Sequence, residues 1–139
     1  MESESLEQRA YLATFDTIRH IAEEGPCVII GRCADYALKD NPNHLNLFIY
    51  APMEARIERI CERTGVSPEK AKAMITKTDK RRASYYEYYS SKKWGSLDSY
   101  DFCMDSSYLG LSRTVELILA MVDHKEHPHS SPTEIDPTR

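Results

Sequence analysis

The chain has 139 residues, 41% of them hydrophobic and 29% charged, with a formal net charge of −4. That length and mix describe one domain with a real core, and the mild acidity speaks against bulk nucleic-acid binding. No apolar run reaches the ~20 residues of a membrane span, and the opening MESESLEQ lacks the apolar stretch of a signal peptide; we expect a cytoplasmic protein with no membrane contact.

In chain order, Ser5-Leu6-Glu7-Gln8 has capping-box form, and Leu12, Phe15, Ile18 and Ala22 follow at helical spacing. Gly25-Pro26 ends that helix. Cys27-Val28-Ile29-Ile30 reads as a strand buried on both faces of a parallel sheet. Residues 34–40 form a short predicted helix, and Leu45 to Ala51 a second strand. Pro52 opens the next helix, which stops at Gly65. Ser67-Pro68 is a cap and first-turn proline for a long helix with Ala71, Met74, Ile75 and Thr78 on its apolar stripe. Tyr100 to Met104 is the third predicted strand, and Ser112 caps a final helix carrying Val115, Ile118, Leu119 and Val122. The domain is expected over 1–124, with a disordered, proline-containing tail over 125–139.

Strands alternating with helices predict a three-layer αβα fold around a parallel sheet. Ligands bind such sheets beyond the carboxyl ends of the strands. Gly31-Arg32, Ala51-Pro52 and Asp105-Ser106 fall there.

An arginine displayed after a glycine turn offers a planar fork for phosphate or carboxylate, although pairing with a neighbouring helix's carboxylate would explain Arg32 equally well. Downstream, Lys72, Lys77, Lys80, Arg81, Arg82, Lys92 and Lys93 face only Asp79 and Glu87, and Tyr85, Tyr86, Tyr88 and Tyr89 interrupt them. Cations of this kind stabilise a transferring phosphoryl group. A solvated helix face is the plain alternative, and single-stranded nucleic acid stacking on the tyrosines a third. Asp105-Ser106-Ser107 would bind a ligand or cap a loop. Cys27, Cys33, Cys61 and Cys103 form no CxxC or Cys/His ligand spacing, so reduced thiols and no metal site are expected.

Taken together, Cys27 through Tyr36, Phe48-Ile49-Tyr50-Ala51-Pro52, Thr78 through Ala83 with the tyrosines, Lys92-Lys93-Trp94-Gly95 and Tyr100 through Ser107 resemble the cytidylate kinase-like family of P-loop nucleoside monophosphate kinases. The blocks span roughly residues 6–123 in the family's order. The resemblance implies phosphoryl transfer from ATP, with Mg²⁺, to a nucleoside monophosphate such as CMP. It assigns acceptor binding to Arg32, Asp79 and Lys80, catalytic lid roles to Arg81 and Arg82 within a lid-like segment of about 76–95, and the neighbourhood of ATP to Ser106 and Ser107. The family's Gly-Arg-Asp turn reads the sugar with its aspartate; here Cys33 takes that place and Asp35 is the candidate substitute.

The family also begins with a strand and a glycine-rich phosphate loop, and neither GxxxxGK[ST] nor GxGxxG occurs in these residues. A strand-loop-helix-strand unit needs ~30 residues or more, and residues 1–26 already read as a helix. The expectation is therefore a kinase-like fold incomplete at its N-terminus, inactive or poorly active alone, and a doubtful binder of ATP. The alternatives are a non-catalytic nucleotide- or anion-binding module and a half-domain completed by another chain. A homo-oligomer, or a chain supplying the missing strand, is the corresponding partner.

Overall fold

The computed structural model describes residues 5–128. Helix α1 (Leu6–Glu24) starts where the sequence says it should. The Ser5 hydroxyl accepts from the Gln8 amide at 3.2 Å, and the Gln8 side chain accepts from the Ser5 amide at 3.1 Å, so two orphan donors are satisfied at once. After a four-residue turn of helix, α2 (Ala34–Ala37), strand β1 (Leu47–Tyr50) leads into α3 (Met53–Thr64) and α4 (Pro68–Ser90). The Ser67 hydroxyl caps α4 through the Lys70 amide at 3.2 Å, with Pro68 in the first turn. A short 3-10 turn (Leu97–Ser99) precedes strand β2 (Phe102–Asp105), and α5 (Ser106–Glu126) ends the described chain.

Strands β1 and β2 pair in parallel, Leu47 with Phe102 through Tyr50 with Asp105. Both carboxyl ends therefore lie on one edge, continuing into Ala51-Pro52 and into α5. The Ser106 hydroxyl ties them by donating to the Tyr50 carbonyl at 3.3 Å. Helices α3 and α4 are clamped by Arg56, whose two terminal nitrogens each donate to a different oxygen of Asp79 at 2.7 Å. That bidentate bond raises the guanidinium's pKa and holds it charged.

Three local expectations change. Cys27–Ile30 carries no strand pairing: none of its backbone groups hydrogen-bonds within the described residues, and Val28 and Ile30 are 92% and 89% exposed. An apolar run becomes a strand only when a neighbour accepts its backbone groups, and none of the described segments does so. The last helix begins at Ser106 rather than Ser112. The Asp105 carboxylate accepts from the Ser107 and Tyr108 amides at 2.9 and 3.3 Å, so helix starts directly at the strand end, with a break at Gly110 (φ 73°, ψ 167°). α5 also runs to Glu126, two residues into the expected tail, of which 129–139 lies outside the described residues.

Burial is uneven. Ile18, Ala37, Ala71, Ile75, Tyr86 and Met104 are buried, whereas Ile49, Phe102, Leu111, Val115 and Leu119 are exposed. Phe48 does pack well, against Trp94 and Tyr100 with ring centroids 5.4 and 4.9 Å away. A Cβ on Gly95 would lie 3.3 Å from the Phe48 ring, at a φ of 77°, so only glycine fits there.

Candidate functional site

The turn after Ile30 is the most unusual backbone among the described residues. Gly31, Arg32 and Cys33 have successive φ values of 69°, 58° and 54°. Glycine accepts a left-handed conformation freely, but Arg32 and Cys33 each bear about 1–2 kcal/mol for it. Strain of that kind persists where the surroundings over-determine it, and here they belong to α4. The Arg32 guanidinium lies over the Tyr85 ring, 5.8 Å from its centroid. The Cys33 thiol points to the Tyr86 carbonyl at 3.9 Å, and the Tyr86 hydroxyl donates to the Asp35 carboxylate at 2.6 Å. Two adjacent residues of α4 thus hold three members of the turn.

The consequences differ by residue. Arg32 is exposed and Asp35 half-buried, so both remain reachable from solvent; Cys33 is 3% exposed and is not. Burial, followed by the hydrogen bond to Asp35, pushes the Tyr86 hydroxyl's pKa well above the usual tyrosine range, so it stays a donor at all ordinary pH values. The Cys33 thiol rises from 9.0 to about 11, chiefly through burial and then through Asp35.

That rise has a sign. An unfolded thiol ionises near its ordinary value of 9.0 while the folded one waits until about 11. Cys33 therefore stabilises the fold fully below the lower value, and its contribution is lost as pH climbs to the upper one. Thermal unfolding followed across that window should show falling stability. Cys33→Ala should flatten the slope there, and an unchanged slope would contradict this assignment.

Tyr11, on α1, completes the wall behind the turn. It stacks on Tyr89 with centroids 3.8 Å apart and rings inclined by 11°, and meets Tyr85 edge-on at 6.3 Å. Its hydroxyl is buried without a hydrogen-bond partner among the described residues, and burial raises its pKa from 10.0 to about 12. A buried hydroxyl that bonds nothing costs about 1–3 kcal/mol. Tyr11→Phe should accordingly raise the unfolding free energy by about 1 kcal/mol, read by urea denaturation; a loss would mean the hydroxyl has a partner after all.

Arg81 precedes Tyr85 by one helical turn, and Arg82 stands in the same relation to Tyr86, so both share the side of α4 that meets the turn. Both are exposed, as is Lys80. Asp79 is engaged by Arg56 instead. At the far strand edge, the Ser106 hydroxyl is taken by the Tyr50 carbonyl, and the Ser107 hydroxyl donates to Asp105 at 2.6 Å, holding that carboxyl below its usual range. The structure thus brings Arg32 and Asp35 to Tyr85 and Tyr86, with Arg81 and Arg82 exposed one helical turn earlier on α4, and leaves Asp79, Ser106 and Ser107 in bonds of their own. Tyr86 and Tyr11 were missed as site-forming residues. Spacing puts Tyr85 and Tyr86 on neighbouring faces of one helix but could not show that both meet one turn.

Residues 1–108 match the Cytidylate kinase-like family. The chain belongs to that family. Among the relatives of this cytidylate kinase-like chain, the cytidylate kinase of Methanopyrus kandleri is 27% identical over 113 residues, covering 76% of this chain and 58% of its own. The cytidylate kinase of Methanocaldococcus jannaschii is 29% identical over 107 residues, 75% and 60% of the two chains. That of Pyrococcus horikoshii is 28% identical over 103 residues, 74% and 53%. A solved structure of an uncharacterized protein from Eubacterium ventriosum superposes with a TM-score of 0.77 at 32% identity, over 86% of this chain and 68% of that one. The chain spans 53–60% of the lengths of these curated relatives. Kinase and transferase chemistry is the family's, and this chain's incomplete α/β fold superposes on 68% of the solved neighbour.

The family implies ATP and Mg²⁺. The donors present do not fit a triphosphate: neither GxxxxGK[ST] nor GxGxxG occurs in these residues, and the Ser106 and Ser107 hydroxyls are engaged within the fold. Among the described residues no three His, Cys, Asp or Glu side chains gather to hold a metal ion, and no helix is long and apolar enough to cross a membrane.

Proposed function

We propose that this cytidylate kinase-like chain binds a nucleoside monophosphate, CMP being the first choice, at the Arg32–Asp35 turn, and that it transfers no phosphate by itself. The observation that supports this is the pair of left-handed residues that display Arg32 beside Tyr85. Arg32 takes the nucleotide phosphate with its planar fork, and Arg81 and Arg82, one helical turn from Tyr85 and Tyr86, add positive charge to the same anion. Lys80 lies next to them. Asp35, fixed by Tyr86, has a carboxylate oxygen left to accept from a sugar hydroxyl. Asp79 serves by keeping α3 on α4, and Ser106 and Ser107 by joining β1, β2 and α5.

Catalysis of phosphoryl transfer is mostly positioning, and a phosphate loop supplies the backbone donors and the lysine that orient the triphosphate. Without them a bound acceptor has no donor aligned against it. Calorimetric titration with CMP, and separately with Mg·ATP, tests this. Saturable CMP binding, weaker dCMP binding, and no ADP formed from CMP plus Mg·ATP are expected. No CMP binding by cooperatively folded protein, or steady ADP production, would defeat the proposal. A purely structural Arg32 would leave CMP unbound.

A further inference from the structure

Asp35 is held by more than Tyr86. The Tyr86 hydroxyl gives its proton to one Asp35 oxygen at 2.6 Å, which leaves its own oxygen free to accept. Two side chains from the entry to β2 meet it there, the Ser99 and Tyr100 hydroxyls both lying within hydrogen-bonding reach. Burial raises the Tyr100 pKa, so this hydroxyl too stays protonated and able to donate. Its oxygen accepts in turn from the Gly95 amide at 3.5 Å. Donors therefore run in one direction, from Gly95 through Tyr100 and Tyr86 to the carboxylate, each polarising the next. The far end of this chain is fixed to the sheet. Asn46, just before β1, donates its amide to the Asp101 carboxylate at 2.7 Å and accepts from the Asp101 amide at 2.9 Å, next to Tyr100. The Tyr100 ring packs on Phe48, and Gly95 lies against the same ring.

We propose that Tyr100 sets sugar discrimination at the turn: by holding the Tyr86 hydroxyl on one oxygen of Asp35, it keeps the other oxygen aimed at a ribose 2′-hydroxyl. The inference rests on nucleotide binding at Arg32–Asp35. Tyr100 acts through Tyr86 and is a positioning residue. Asp35 is half-buried, so a carboxylate released from this chain turns toward water and no longer tells ribose from deoxyribose. Arg32 meets α4 through Tyr85 instead, so the grip on phosphate does not pass through Tyr100. Sugar preference and phosphate binding are thereby separable in one site.

Calorimetric titration of Tyr100→Phe with CMP and with dCMP tests this, beside urea unfolding of Tyr100→Phe, Tyr86→Phe and the double variant. Phenylalanine keeps the ring on Phe48, so the fold is retained. CMP affinity should fall about three- to tenfold, the worth of one neutral hydrogen bond, while dCMP affinity stays at the parent's. A merely structural Tyr100 would lower both affinities alike. That result overturns the proposal, as does an unchanged ratio of CMP to dCMP affinity. In unfolding, Tyr100→Phe should lower the parent's urea midpoint but change that of Tyr86→Phe less, because the bond between the two hydroxyls is already gone there. Equal losses in the two backgrounds would overturn the proposal too. A cooperatively folded parent that binds no CMP defeats the site and this inference with it, whereas a parent that binds CMP and a variant with the parent's ratio defeat this inference alone.

Discussion

Replacing Arg32 with alanine is expected to weaken CMP binding ten- to a hundredfold while leaving stability almost untouched. A charged hydrogen-bond pair to phosphate is worth about 1.5–3 kcal/mol, and each 1.4 kcal/mol is tenfold in affinity. On the stability side the side chain is exposed, and its contact with Tyr85 is worth about 0.5–1 kcal/mol at such a site. Arg32→Gly sharpens the test. Glycine relieves a left-handed conformation costing about 1–2 kcal/mol but gives back about 0.5–1 through the freer unfolded chain, so the melting temperature should hold or rise while binding is lost. Arg32→Lys keeps the charge but not the fork, and should fall between parent and alanine. Titration calorimetry and thermal unfolding on the three variants read both quantities. Parent-like CMP affinity in the alanine variant would remove Arg32 from the site.

Tyr86→Ala is expected to be the most damaging single change in the described chain. The ring is 6% exposed, and its hydroxyl and carbonyl hold Asp35 and Cys33. Truncating a buried aromatic costs about 3–5 kcal/mol, against a whole-domain stability of about 5–15. A fold with this much exposed apolar surface sits near the lower end, so the variant should lose cooperative unfolding altogether. Tyr86→Phe keeps the ring and drops only the hydrogen bond to a carboxylate, a loss of about 1.5–3 kcal/mol offset in part by water reaching the half-buried Asp35. It should remain folded, bind CMP more weakly, and lose the preference for CMP over dCMP if Asp35 reads the sugar. Cooperative unfolding of the alanine variant at the parent's temperature would show that Tyr86 is not a keystone.

The helix starts were legible because they are local. Ser5 with Gln8, and Ser67 with Pro68, satisfy their own first-turn amides wherever the rest of the chain goes. Strands β1 and β2 were legible too, within two residues at each end, since both are short apolar runs bounded by turn residues. The start of α5 was not. Asp105-Ser106-Ser107 reads as a loop, and becomes helix because the parallel pairing of Tyr50 with Asp105 fixes the carboxylate where it can cap two amides. Among the site residues, Arg32 was legible from its place after a strand-like run and a glycine. The difference between Asp35 and Asp79 was not, because both are single carboxylates near basic residues and only their neighbours in space decide which one is bound by a guanidinium.

The sequence by itself determined the starts of α1, α3 and α4, the apolar runs, the basic stretch of α4 and the kinship with cytidylate kinase-like proteins, all of which are written in residues close together along the chain. Tertiary structure alone decided that Tyr85 and Tyr86 seize the Arg32–Asp35 turn, and that Arg56 takes Asp79. It alone decided that Cys27–Ile30, for all its strand-like composition, pairs with no other segment among the described residues. A helix closes its hydrogen bonds within itself, whereas a strand or a binding turn depends on a partner that sequence proximity does not supply.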